Sequence, residues 1–303
     1  MDELAARLSL ASQEHPAGRV DLTGGTSFVE AHRERGFSDG DVSDLFHENT
    51  KFDRQYLARS AATERDLHDE FSAVEHDYHG RESVALPEPE RVDCALRTAL
   101  NQRRSCRSFA DRGVSRQTVG TVLGRALAPS RKVDDGGVPE TFRPYPSAGG
   151  LYPVELYLVV SEGTDLPAGT YYYSVRDHAL RVLRTGEEDR DDGGSGDQDG
   201  PVADCFMDEP FARGVVADAP ATVVLTGALS RIKAKYGPVG YRFALLEAGH
   251  VAQNVLLALA ALGLGGVPLG SFLDDELDRF LGIDGVNEAA LYPIAFGHPQ
   301  DDD

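Results

Sequence analysis

Apolar positions recur with a clear period over residues 93–299 and only loosely before them. Val154 to Val160 is a nearly unbroken apolar run, the pattern of a strand buried on both faces. Ala221 to Leu225 and Ala289 to Phe296 read the same way. Gly169 to Ser174 and Leu180 to Leu183 flank a polar turn at Val175 to His178, which predicts a hairpin. Helical spacing appears from Asp93, through Cys94, Leu96, Ala99 and Leu100. Ser115 is placed to cap a helix carrying Val119, Val122, Leu123, Ala126 and Leu127 on one face, with Ala128-Pro129-Ser130 ending it. A long helix is predicted from Tyr241 to Leu264, with Leu245, Ala248, Ala252, Val255 and Leu259 at core spacing. Gly263, Gly265 and Gly266 close it, and Asp274 to Leu281 forms a short helix.

Upstream, the pattern weakens. Leu4, Leu8 and Leu10 suit a short helix, and Asp41–Phe46 and Arg54–Phe71 look helical. Leu86-Pro87-Glu88-Pro89-Glu90 then punctuates the chain. The reading is a polar, helical leader over 1–90 and a main domain over 91–303. An acidic, glycine-rich loop spans 187–200. No internal repeat is visible.

Charge narrows the function. The 303 residues include 50 acidic and 30 basic side chains, a net charge of -20. Nucleic acid and anionic membranes both attract basic surfaces, so neither is an expected partner. No stretch reads as the roughly 20 apolar residues needed to span a bilayer. Cys94, Cys106 and Cys205 are too few and too scattered for a disulfide framework or a zinc site, and a reducing cytoplasm is expected. The acidic Met1-Asp2-Glu3-Leu4 start has no signal-peptide core. His47, His68, His76 and His79 lack the carboxylate or cysteine that would complete a metal pattern, so no metal site is expected.

Against this acidic background, Arg103-Arg104-Ser105-Cys106-Arg107-Ser108-Phe109 stands out. Arginine's planar fork matches phosphate oxygens, although basic runs also serve as solvated faces or localisation patches. In Arg143-Pro144-Tyr145-Pro146-Ser147-Ala148-Gly149-Gly150-Leu151-Tyr152-Pro153, small residues at 147–150 would let a flat ligand approach the backbone. A plain tight turn would look similar. Val267-Pro268-Leu269-Gly270-Ser271-Phe272 is a second narrow loop. Lys235-Tyr236 could transfer a proton or be a surface pair. His250, Gln253 and Asn254, polar on the long helix, could face solvent, core hydrogen bonds or a ligand.

Taken in order, these segments resemble the FMN-dependent nitroreductase superfamily, in its SagB/McbC-type (thiazole/oxazole-forming peptide dehydrogenase) branch. The resemblance covers about residues 93–299 and includes Gly169-Thr170-Tyr171-Tyr172-Tyr173, the helix carrying Glu247-Ala248-Gly249-His250 and Gln253-Asn254, and Phe296-Gly297-His298-Pro299. Phe46-His47-Glu48-Asn49-Thr50-Lys51 looks like the leader preceding this domain in SagB-type proteins. The resemblance implies an α+β, nitroreductase-like FMN-binding fold, with a mainly antiparallel central sheet surrounded by helices. It also implies a homodimer with FMN at the subunit interface. Arg103, Arg104, Ser105 and Arg107 would hold the FMN phosphate and ribityl chain. Pro146, Ser147, Ala148, Gly149 and Gly150 would lie along the isoalloxazine, with Leu269, Gly270 and Ser271 and also Asn254. Lys235 and Tyr236 match the catalytic Lys-Tyr dyad of azoline-oxidising members. Two departures stand out. The chain ends Pro299-Gln300-Asp301-Asp302-Asp303, without the C-terminal basic residue that many nitroreductases place on the phosphate. Cys106 stands where a small or aliphatic residue is expected.

Three functions fit this resemblance. The first is a SagB-type FMN oxidoreductase acting on a small molecule or modified peptide, converting azolines to azoles beside a cyclodehydratase partner. The second is an NAD(P)H-dependent nitro or quinone reductase. The third is a flavin-fold binding subunit without catalysis. Lysine occurs only at Lys51, Lys132, Lys233 and Lys235, and such an acidic, lysine-poor composition suits a halophilic source, where salt screens self-repulsion. The thermal midpoint is therefore expected to rise from dilute buffer to multimolar KCl, and full stability in dilute buffer would refute this.

Overall fold

The computed structural model describes residues 46–47, 50–51, 78, 80–133, 140–185, 201–208 and 211–300. The helices expected within 4–10, 41–46 and 54–71, the loops at 134–137 and 187–200, and His68, His76 and His79 lie wholly or largely outside them. The described residues fall into two compact units. One takes the described residues before Ala73 with Arg231–Phe243, and the other takes Val74–Ser230 with Ala244–Asp303.

The larger unit is built on a seven-stranded sheet of order β1-β6-β5-β4-β7-β9-β8, antiparallel at every pairing. Its strands are β1 (Ser83–Ala85), β4 (Val154–Val160), β5 (Gly169–Ser174), β6 (Ala179–Thr185), β7 (Ala221–Ala228), β8 (Gly265–Pro268) and β9 (Glu288–Gly297). A separate small hairpin joins β2 (Arg131–Val133) to β3 (Glu140–Phe142). The helices are α1 (Leu96–Gln102), α2 (Arg116–Leu127), α3 (Ala212–Asp218), α4 (Leu229–Tyr236), α5 (Val239–Ala261) and α6 (Asp274–Leu281). β1 falls within the stretch that the sequence groups with the leader, yet it pairs with β6. Short elements such as β1, β2 and β3 carry too few residues to show a period.

Central strands β4 and β7 are buried at every position, which explains their unbroken apolar runs. On one face, Leu156, Leu158 and Val160 pack with Val119, Val122 and Leu123 of α2 and with Ala248, Val251, Val255 and Leu259 of α5. The other face meets α3 and α6 through Tyr157, Val159, Val216, Leu277 and Phe280. Carboxylates are buried on this second face, and hydroxyls satisfy them. Tyr172 donates to Glu155 Oε2 at 2.8 Å, Tyr157 donates to Glu288 Oε2 at 3.4 Å, and Thr226 donates to Glu288 Oε1. Burial, reinforced by Glu288, pushes the Tyr157 phenol far above its usual range, so it stays a donor.

Helix ends follow local chemistry. The Ser115 hydroxyl accepts the Thr118 amide at 3.1 Å and starts α2. Gly263, at φ 71°, closes α5, with the Leu264 amide donating back to the Leu259 carbonyl at 2.9 Å. One core assignment needs correction: Leu245 is 41% exposed, beside Leu246 at 56%. α1 forms as its spacing predicts but leaves Leu96 and Leu100 68% and 51% exposed. Helical spacing places residues on a shared face but does not say what covers that face. Nor is it correct that no segment has membrane-spanning length. α5 is long and apolar enough by length and composition, but Ala248, Val251, Val255 and Leu259 are spent on the sheet core. β8 also claims Gly265–Pro268, so the second narrow loop begins at Leu269.

Asp278, in the last turn of α6, is buried and accepts the Ala290 amide at 2.7 Å, which ties α6 to β9. Burial, with Asp274, Asp275 and Glu288 adding repulsion, raises its pKa to about 6. Between its ordinary value and that one, the folded state holds more protons than the unfolded state. Stability from this group is therefore full below pH of about 4 and falls as pH rises through about 6. Asp278→Asn keeps the acceptor without the charge. It should raise the thermal midpoint over wild type at pH 8 and leave it unchanged near pH of about 4. A midpoint difference that stays constant with pH would refute the assignment.

Candidate functional site

The arginine stretch follows α1 as an extended segment stitched to the sheet. The Arg103 amide still donates to the Ala99 carbonyl at 2.9 Å, ending the helix. Beyond it, Ser105 forms a parallel bridge with Gly266 of β8, and Phe109 an antiparallel one with Pro299. The Cys106 amide donates to the Gly266 carbonyl at 3.2 Å, the Ala110 amide to the His298 carbonyl at 2.8 Å and the Gln300 amide to the Ser108 carbonyl at 3.2 Å. Cys106 and Phe109 are buried along this segment, while Ser105 and Arg107 are exposed. Cys106 is buried because its thiol donates to the Ser108 carbonyl at 3.2 Å and its side chain fills the space over Gly265. A Cβ on Gly265 would lie 2.5 Å from both Cys106 Cβ and Sγ.

Beside this seam lies a cavity of about 450 Å³. Arg103 and Arg104 line it with Asn101, Gln102, Gly266 and Pro299, and its apolar wall is Leu256, Ala260, Gly263 and Leu264. Two arginines at one end and apolar carbons at the other suit an anion that carries an organic body. Asn101, Gln102, Gly266 and Pro299 were not anticipated. The Gly265-Gly266 doublet was the available signal, because such a pair permits close backbone approach. Neither Ser105 nor Arg107 lines the cavity. Arg107 instead stacks over Phe211, its guanidinium carbon 4.8 Å from the ring centroid.

The first small-residue loop is held stiffly. Ser147 Oγ accepts the Tyr152 amide at 2.9 Å, and Gly149, Gly150 and Tyr152 all take positive φ. Arg143 donates to the buried Tyr145 hydroxyl at 2.9 Å, and its guanidinium stacks on Tyr152 at 4.7 Å. A Cβ on Gly150 would meet nothing within 4 Å, so the loop presents bare backbone to open space. Gly270 in the second loop is equally open, between Leu269, whose amide donates to the Pro293 carbonyl at 2.9 Å, and Ser271, whose carbonyl accepts the Met207 amide at 3.1 Å. Two open glycines on stiff backbone suit the flat ring of a flavin, and the arginine-lined cavity suits its phosphate. The cavity lining holds no residue of either loop.

Asn254 turns toward α2, where its amide donates to the Ala126 carbonyl at 3.3 Å. His250 and Gln253 are exposed. Lys235 and Tyr236 lie in the smaller unit. The Lys235 ammonium sits 5.5 Å from the Tyr236 ring centroid, and both residues are half-buried. The described residues contain no cluster of His, Cys, Asp or Glu able to hold a metal.

Residues 100–298 match the nitroreductase family. The chain belongs to that family. A Methanocaldococcus jannaschii protein named "Putative nitroreductase MJ1384" is 30% identical over 203 residues, 66% of this chain and 89% of that protein. The microcin B17-processing protein McbC of Escherichia coli is 28% identical over 204 residues, 64% of this chain and 66% of the relative. Among solved structures, the E. coli microcin synthetase McbBCD complex with truncated pro-MccB17 contains a chain with TM-score 0.52 at 21% identity, aligned over 93% of this chain and 99% of that one. An Anabaena variabilis nitroreductase-type structure aligns with TM-score 0.63 at 22% identity, over 87% of this chain, which spans only 48% of that longer one. The fold is thus the α+β nitroreductase fold, and the chain is an oxidoreductase of the nitroreductase family with McbC among its relatives.

Gly265 is the steric test of the seam. Gly265→Ala should lower folding stability by about 1–3 kcal/mol, the range for overpacking. Cys106→Gly in the same chain should recover part of that loss. Additive penalties in urea unfolding would show that the two residues do not meet.

Proposed function

We propose that the protein is an FMN-dependent dehydrogenase of SagB type that oxidises azoline rings in a modified peptide to azoles. The observation that carries the reading is the pair Arg103 and Arg104 on one cavity whose floor is Gly266 and the C-terminal end of α5. These guanidiniums would neutralise the FMN phosphate, with the Asn101 and Gln102 amides beside them. Ser105 and Arg107, facing outward on the same segment, would contact the ribityl chain. The Pro146–Gly150 and Leu269–Ser271 loops would lie along the ring, where the open positions at Gly150 and Gly270 leave room for it. Bound FMN would supply the hydride acceptor, and dioxygen would reoxidise it. Lys235 and Tyr236 would take the proton that leaves the azoline carbon as its hydride departs.

The family resemblance favours a homodimer in which two copies complete each site. Exposed Leu96, Leu100, Leu245 and Leu246 offer apolar surface for such contact. A cyclodehydratase that makes the azolines is the proposed partner, since McbC's structural relative is a complex with a peptide precursor. A cytoplasmic setting goes with that partner. NAD(P)H-driven reduction of nitro compounds or quinones is the second reading, favoured by the nitroreductase name of the M. jannaschii relative.

The purified protein should be yellow, absorbing at about 450 nm, as flavins do. Arg104→Ala should weaken FMN binding about tenfold or more, the scale for losing a charged hydrogen bond. Lys235→Ala should keep FMN but slow its anaerobic bleaching by a thiazoline peptide. Wild-type FMN retention in Arg104→Ala refutes the phosphate placement. Bleaching by NADPH but never by thiazolines favours the reductase.

A further inference from the structure

One motif has no part in the site described so far: Phe46-His47-Glu48-Asn49-Thr50-Lys51. Its described residues belong to the same compact unit as Arg231–Phe243, the corner that carries Lys235 and Tyr236. The Phe46 ring meets the Tyr241 ring edge-on, with centroids 5.7 Å apart and planes at 83°. Thr50 fixes how Phe46 is presented. It is only 2% exposed, its hydroxyl donates to the Phe46 carbonyl at 2.7 Å, and its amide donates to the same carbonyl at 3.0 Å.

The corner itself is tightly closed. α4 ends where the Gly237 amide donates to the Lys233 carbonyl at 2.7 Å, and the chain reverses within Gly237-Pro238. A Cβ on Gly240 would lie 2.8 Å from the Ile232 carbonyl oxygen, so the two helices touch through backbone there. Tyr236 packs edge-on against Phe243, with centroids 5.1 Å apart. The first turn of α5 therefore fixes Tyr236 from one side through Phe243, while Phe46 bears on that same turn through Tyr241. Lys235 and Tyr236 are half-buried, and these ring contacts bear on where they sit.

We infer that Phe46, presented by Thr50, is a positioning residue for the Lys235–Tyr236 corner, making the leader motif part of the catalytic apparatus rather than a tether. The catalytic half of this inference rests on the function proposed above, while the packing half does not. Misplacing a proton-transfer group by a fraction of its hydrogen-bond length slows the step without changing cofactor affinity.

The test compares full-length wild type, Phe46→Ala, Phe46→Tyr and Thr50→Val, all loaded with FMN. Amide exchange read by mass spectrometry should quicken over residues 231–243 in Phe46→Ala, by roughly two- to tenfold for the loss of one aromatic pair. Exchange in β4 and β7 should stay at the wild-type rate. Anaerobic bleaching of bound flavin by a synthetic thiazoline peptide should slow by about tenfold in the same variant, with flavin content unchanged. Phe46→Tyr should match wild type in both readouts, and Thr50→Val should fall between. Unchanged exchange at 231–243 overturns the packing, and faster exchange with wild-type bleaching overturns the positioning role. Global loss of protection and of flavin in Phe46→Ala, with Thr50→Val at wild-type values, also overturns it. A wild-type enzyme that thiazolines never bleach sinks the azoline reading instead, and the exchange arm still decides the contact.

Discussion

The candidate site depends on one close approach between backbones. Extended residues 105–109 can lie against β8 and the end of β9 only because Gly265 has no side chain where Cys106 sits. That contact buries Cys106 against Gly265, while Phe109 packs at the end of β9 and Ser105 and Arg107 stay exposed. It also fixes Arg103 and Arg104 at the mouth of the cavity that Gly266 and Pro299 help to line. The segment after β9 runs beside the arginines, held by the Gln300 amide on the Ser108 carbonyl. Pro299, just past β9, thereby lines the same cavity as Arg103 and Arg104.

The sheet holds this seam in place by packing two chemically different faces. Against α2 and α5 the contact is mainly apolar, with buried Glu247 of α5 accepting the Val154 amide at 3.3 Å, and the C-terminal turn of α5 lines the cavity. The opposite face buries Glu155 and Glu288 under tyrosine and threonine hydroxyls, while Tyr78 brings its own hydroxyl to 3.2 Å from that of Tyr157. A buried carboxylate without donors would be costly, so this network fixes which residues can occupy that face. Asp278 extends the same logic to α6, trading an unfavourable charge for a hydrogen bond that anchors β9.

Lys235 and Tyr236 stand on different footing. Among the described residues of their unit, the contacts are a helical reversal and aromatic pairs, Phe46 with Tyr241 and Tyr236 with Phe243.

Local rules were enough for much of the chain. The unbroken apolar runs at 154–160 and 221–225, the Ser115 cap and the glycines after α5 each state their structure through short-range chemistry, and the structure agrees at each. The arginine stretch and the two small-residue loops were legible as candidates because their residue types are unusual for so acidic a chain. Long-range geometry was not legible. The exposure of Leu96, Leu100 and Leu245, the turn of Asn254 toward Ala126, and the inclusion of Gly265–Pro268 in an edge strand all depend on partners far away in the chain. Nor could composition show that Arg103 and Arg104 share a cavity with Gly266 and Pro299 while Arg107 stacks on Phe211. The sequence by itself determined which segments form strands and helices and which residues carry chemistry, because propensity and period act over a few residues. Tertiary structure decided which faces are covered and which groups meet, because those depend on backbones more than a hundred residues apart coming into contact.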